Sequence, residues 1–178
     1  MIDYHMHLER GPMSLSWLKE FWDQAQKRGL QEFAITEHAH RFKEFYPVYK
    51  HLLEGDDAYA YMQDWMAKEL QLSLVDYFAL LEEARSEGIP VKFGIETDYF
   101  LGQEENIRSL LSDYPFDFVL GSVHFIGKWG FDYSPNHGWQ GRDHDTVYRE
   151  YISLLEHAVK ANLFDCLAVQ VSKPLSVL

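Results

Sequence analysis

Along the chain, short apolar runs alternate with longer stretches in which apolar side chains recur three or four residues apart. The short runs, at residues 2–5, 32–36, 91–97, 117–122 and 164–171, read as strands. Residues 14–28 read as a helix, with Ser14 or Ser16 as its cap and Gly29 as its stop. Residues 40–87 are mostly helical in pattern: Tyr59, Met62, Trp65, Met66 and Leu70 form one stripe, and Leu74, Phe78, Leu81 and Ala84 form the next. The aromatic stripe fits a core better than a cofactor box. Gly88 and Pro90 end this stretch. A helix at 104–111, a glycine- and aromatic-rich loop at 127–141 and a last helix at 145–161 complete the pattern. No internal repeat, low-complexity tract or linker interrupts it. The alternation predicts one α/β domain over residues 1–178, with a parallel sheet, open or closed, and a helical insertion at about 40–87.

The polar residues fall where such a sheet would use them. His5 and His7 are two apart, so in a strand they point the same way, with Asp3 on that face too. Glu37 and His38 close the second strand, Glu96 and Asp98 the third, and His124 the fourth. In a barrel, groups at strand C-termini converge on one face. Taken singly, Asp3 to His7 reads equally as a polar surface hairpin, and His38 or His124 as a hydrogen-bonded structural histidine. Taken together they describe a metal site, because imidazoles and a carboxylate are what a divalent ion takes as donors.

Composition narrows the picture. With 178 residues, 47% hydrophobic and 16% aromatic, the chain can bury a sizeable core. Its 16 basic and 28 acidic residues leave a net charge of −12, which disfavours a nucleic-acid groove. A single cysteine, Cys166, excludes an intrachain disulfide framework and suits a reducing compartment. No run of about 18 apolar residues and no basic-then-apolar leader is present, so the expectation is a soluble, cytoplasmic protein without membrane contact.

The motifs also carry a resemblance. Asp3-Tyr4-His5-Met6-His7, Thr36-Glu37-His38, Gly94-Ile95-Glu96-Thr97-Asp98-Tyr99 and Gly121-Ser122-Val123-His124-Phe125 resemble, in order and spacing, the motifs of the polymerase and histidinol phosphatase (PHP) family. The string from Tyr114 to Ile126 is typical of its monofunctional histidinol-phosphatase branch, and the likeness runs from residue 2 to about 168. The resemblance implies a distorted (β/α)7 barrel holding two or three divalent ions, zinc, manganese or iron, that hydrolyses a small phosphate ester, histidinol phosphate, through a metal-bound hydroxide. Carried over by position, His5 and His7 would bind one metal, Glu96 would bridge two, His124 would bind the second and His38 would belong to a third. Glu96, His124 and His38 would form the catalytic centre. Asp3 would support these ligands or bind weakly. His40, Arg41, Lys128, His137 and Arg142, in loops at or after the ligand-bearing strand ends, are candidates to orient the phosphate.

Two departures qualify that expectation. Where relatives carry a further histidine after the His-x-His pair, this chain has Glu9, which reads as a substitute ligand or an exposed loop acid. After Ala168 a histidine and a later Asp-x-His would be expected, yet Val169 stands at the histidine position and no Asp, Glu or His follows Asp165. The sequence therefore reads as a barrel of about five strands with a truncated or divergent C-terminus. Its open edges would be covered by a second copy or by partner strands. Two functions stay open: a metal-dependent phosphomonoesterase, and a catalytically impaired metal-binding remnant. An amidohydrolase-type barrel also starts with His-x-His but fits Gly94-Ile95-Glu96 and Ser122-Val123-His124 less well.

Overall fold

In the computed structural model, which describes residues 1–54, 59–133 and 138–169, five strands form one all-parallel sheet in the order β1-β2-β3-β4-β7. The strands are β1 (Ile2–Met6), β2 (Glu32–Ile35), β3 (Val91–Asp98), β4 (Phe118–Ser122) and β7 (Cys166–Leu167). Because all run the same way, their carboxyl ends share one end of the sheet. Both outer strands, β1 and β7, have a free edge among the described residues. The five-strand expectation holds.

Helices carry the chain between strands. Helix α1 (Leu15–Lys27) starts where Ser14 accepts a hydrogen bond from the Trp17 N–H at 3.3 Å, and it ends before Gly29, whose φ of +72° favours glycine. Between β2 and β3 the described residues include the short 3-10 turns Ala39–Arg41 and Lys43–Phe45 and the helices α2 (Tyr46–Leu53), α3 (Ala60–Glu69) and α4 (Leu74–Ser86). Leu74, Tyr77, Leu81 and Ala84 are spaced to put one face of α4 into the core, where it packs on β3. Helix α5 (Glu104–Ser112) precedes β4. Helix α6 (His144–Ala161) is capped by Asp143, which accepts the Thr146 N–H at 2.9 Å.

β3 is the centre of the sheet and is buried almost throughout. Gly94 lets it approach β2: a Cβ there would meet the Ile35 carbonyl oxygen at 2.7 Å and Thr36 Cγ2 at 2.6 Å. Tyr77 on α4 ties the two strands together, its hydroxyl lying 2.7 Å from the Ile35 oxygen and 2.9 Å from the Gly94 oxygen. β3 and β4 pair in register from Gly94↔Phe118 to Asp98↔Ser122.

Two local expectations change. The segment expected as a loop at 127–141 begins inside a small hairpin, β5 (Phe125–Ile126) and β6 (Trp129–Gly130), joined through Gly127 at φ +62°. Two-residue strands are too short to show an alternating pattern, and the fully buried Trp129 is what fixes this one. The last strand, expected at 164–171, is confined to Cys166–Leu167 among the described residues. No helix among them is long and apolar enough to cross a membrane.

Candidate metal centre

Glu96, 2% exposed near the end of β3, is the hub of the site. Its Oε2 lies 3.3 Å from His5 Nε2, 3.2 Å from His7 Nε2 and 3.1 Å from His38 Nδ1. Its Oε1 lies 3.5 Å from His124 Nε2 and accepts a hydrogen bond from the Ser122 hydroxyl. Strand geometry explains the convergence. His5 and His7 project from the end of β1 on one face, with ring centroids 5.0 Å apart. His38 follows β2 and is bridged to Glu96 through the backbone, where the Glu96 N–H donates to the Glu37 carbonyl at 2.9 Å.

These donors form two sets, His5–His7–Glu96 and His38–Glu96–His124, each with ligand atoms within 4.8 Å of one another. His38 thus shares a set with His124, where a separate third position was expected. Burial opposes charge on Glu96, but hydrogen bonds from His38, His5 and His7 outweigh it and hold the carboxyl far below the usual range. His7 Nδ1 is buried and makes no hydrogen bond. Ring nitrogens of three histidines converging on one buried carboxylate oxygen fit divalent metal ions of the zinc class.

Asp98, two residues beyond Glu96 on the same face of β3, supports this centre. It lies 2.8 Å from His124 Nδ1, accepts the Tyr49 hydroxyl at 2.8 Å and stands 3.9 Å from His40 Nδ1. Burial works against its ionisation, but the charge of His124 and the hydrogen bond to it keep the carboxyl well below the ordinary range. Burial likewise lowers His40 to about 4 in spite of Asp98. Glu37, fully buried, accepts the Leu8 N–H and pairs with Arg41, fixing the turn after β1.

The remaining candidates divide. His40 joins His38 and His124 in the wall of a cleft beside the donors. Arg41, Lys128 and Arg142 are engaged elsewhere: Arg41 with Glu37 and Glu69, Lys128 with the Glu54 carbonyl, and Arg142 with the Gly138 carbonyl at 2.6 Å and the Trp129 ring. His137 lies outside the described residues. Asp3 accepts the His5 backbone N–H at 3.1 Å, a contact within β1 and not with a ring. Glu9 faces the site, its Oε2 3.7 Å from His38 Nε2, while staying 40% exposed. Arg10 lines the same cleft, and Val169 lines the donor cluster at the place expected for a histidine.

Asp98, read with Glu96 at the end of the third strand, stands there against His124. Two residues lining the cleft went unread in the sequence. Arg10 and Asp132 gave no signal, because only the fold brings their loops to the cleft.

The PHP domain matches residues 3–171. A probable histidinol-phosphatase of Deinococcus radiodurans is 34% identical over 112 residues, covering 60% of this chain and 42% of that relative. The histidinol phosphate phosphatase of Lactococcus lactis subsp. lactis, solved with zinc, L-histidinol and phosphate, superposes with a TM-score of 0.67 at 25% identity, covering 94% of this chain and 57% of that one. A putative histidinol phosphatase of Listeria monocytogenes gives 0.66 at 21% identity over 92% of this chain and 62% of that one, a likeness of fold. The chain spans about two fifths of the length of the curated relative.

Proposed function

This chain belongs to the PHP domain family, and from that premise we propose that it serves metal-dependent hydrolysis of a phosphate monoester, histidinol phosphate. The observation that carries the reading is the pair of donor sets sharing Glu96 at the strand ends. His5, His7 and Glu96 would hold one divalent ion; His38, Glu96 and His124 would hold a second. Ions bound there would supply Lewis acidity and a clamp for phosphoryl oxygens. Glu96 turns Oε2 toward His5, His7 and His38 and Oε1 toward His124, so one carboxylate touches both sets and keeps the two positions close. Asp98 holds His124 by its Nδ1, so that Nε2 faces the site. Arg10, in the cleft wall, is a cation placed to meet phosphate. The helical insertion at about 40–87 would serve as one wall of the substrate site.

A second reading, a metal-binding chain with little turnover, is favoured by Val169: an apolar side chain lines the donor cluster where a further donor would stand. One purified sample separates the two. Zinc content and phosphate release from histidinol phosphate are measured together. Zinc with turnover supports the phosphatase, zinc without turnover supports the second reading, and absence of zinc binding defeats both.

A further inference from the structure

Helix α6 carries two apolar stripes, and the fold uses one of them. Val147, Tyr151 and Ala158 are buried in the cluster that holds Trp129 and Phe131. One position on, about 100° round the helix, Tyr148, Ile152, Leu155 and Val159 make the second stripe. Their spacing of four, three and four residues is that of a helix–helix seam. Tyr148 and Leu155 are half-buried at the edge of the cluster, but Ile152 is 53% and Val159 65% exposed. Single exposed apolar side chains are ordinary, whereas a row of them along one helix marks a contact surface.

The charges beside the stripe point to its occupant. Arg149 and Glu156 each follow a stripe residue, Tyr148 and Leu155, so they stand seven residues apart on one flank, and both are exposed. When such a helix lies antiparallel on its own copy, these positions meet twice, Arg149 of each copy beside Glu156 of the other. The flank is therefore complementary to itself. Glu156 also has Lys160 at 3.8 Å on its own helix, but that pair is 64% and 72% exposed and holds it only weakly. The whole chain, at −12, repels a second copy; α6 sets Arg149 and Lys160 against Asp145, Glu150 and Glu156, so little of that excess falls on this face.

We propose that α6 is the docking face for a second copy of this chain, laid antiparallel about a two-fold axis, with Ile152 against the partner's Leu155, Tyr148 against the partner's Val159 and Arg149 beside the partner's Glu156. None of these residues belongs to a donor set or to the cleft beside the donors, so the pairing is independent of the metal chemistry. A seam of this length belongs with the small, transient interfaces, and a dissociation constant of roughly 10–100 µM is expected.

Sedimentation velocity of the full chain between about 5 and 500 µM tests it, and the native chain should pass from monomer to dimer across that range. Ile152→Glu and Val159→Glu each put a carboxylate into the seam and should keep the chain monomeric, with circular dichroism and thermal melting unchanged to show that the fold is intact. Charge reversal tests the register. Arg149→Glu and Glu156→Arg, each alone, set like charges together and should weaken association by about tenfold or more. Mixed one to one, the two variants should recover it, because each supplies the charge that the other lacks; the double variant should recover it too. A native chain that stays monomeric to about 500 µM would overturn the proposal and leave the stripe to a different protein. So would a dimer that survives both Ile152→Glu and Val159→Glu, since it would lie on another face, such as the free edge of β1 or β7. Single charge variants that associate like the native chain, or that fail to recover on mixing, would overturn the antiparallel pairing.

Discussion

Asp98 Oδ1 lies 2.8 Å from the Nδ1 of His124 and 3.1 Å from its backbone nitrogen, so one carboxylate oxygen fixes both the ring and the chain that carries it. Burial opposes charge on the ring, but attraction to Asp98 and the hydrogen bond with it push His124 up to about 10. A carboxylate behind a ligating imidazole sets its tautomer and raises its basicity. Asp98→Asn should therefore weaken zinc binding at the His38–Glu96–His124 set by about 10- to 100-fold, within the range for such partners. Competition against a chromophoric chelator measures this, and unchanged affinity would count against a supporting role for Asp98.

Tyr77 should matter to stability and not to metal. Its hydroxyl serves carbonyls of both β2 and β3, and Tyr77→Phe is expected to lower unfolding free energy by about 1–2 kcal/mol. Burial, then the nearby Glu37, pushes this phenol well above its ordinary range. The sign follows from linkage: an acid whose folded pKa is raised stays protonated in the fold while the unfolded phenol ionises near about 10. Its contribution is present below that pH and lost above it. Thermal melting followed between neutral and alkaline pH should show stability falling above about pH 10, with a shallower fall in Tyr77→Phe. Equal slopes in the two proteins would exclude this phenol as a source.

Val169 offers a gain-of-function test. It is 58% exposed and lines the cleft that holds His5, His7, His38, Glu96 and His124. Val169→His places an imidazole at that edge, and a fourth donor would complete a tetrahedral set. Zinc should bind more tightly, by about tenfold or more, read by the same chelator competition. No gain would mean that this side of the cleft is closed to a ligand.

How much of this the sequence disclosed depended on the range of the interactions. His5, His7, His38, Glu96 and His124 were legible because each ends a strand, and parallel strands deliver their ends to one place. The α4 face was legible from the spacing of Leu74, Leu81 and Ala84. Arg41 and Lys128 were not, because a long side chain goes to its nearest acceptor: for these two, Glu37 and the Glu54 carbonyl, one on the same turn and the other remote in sequence. The β5–β6 hairpin escaped for want of length, and the cleft escaped because Glu9, Trp65 and Asp132 lie on three separate segments.

One carboxylate, Glu96, is expected to serve two metal positions. Zinc per chain, measured by mass spectrometry after loading and desalting, tests it most directly in the native chain, His5→Ala, His124→Ala and Glu96→Ala. The expected values are about two ions for the native chain, about one for each histidine variant and close to none for Glu96→Ala. A Glu96→Ala chain that keeps the native zinc content, or loses no more than a single histidine variant does, would contradict it.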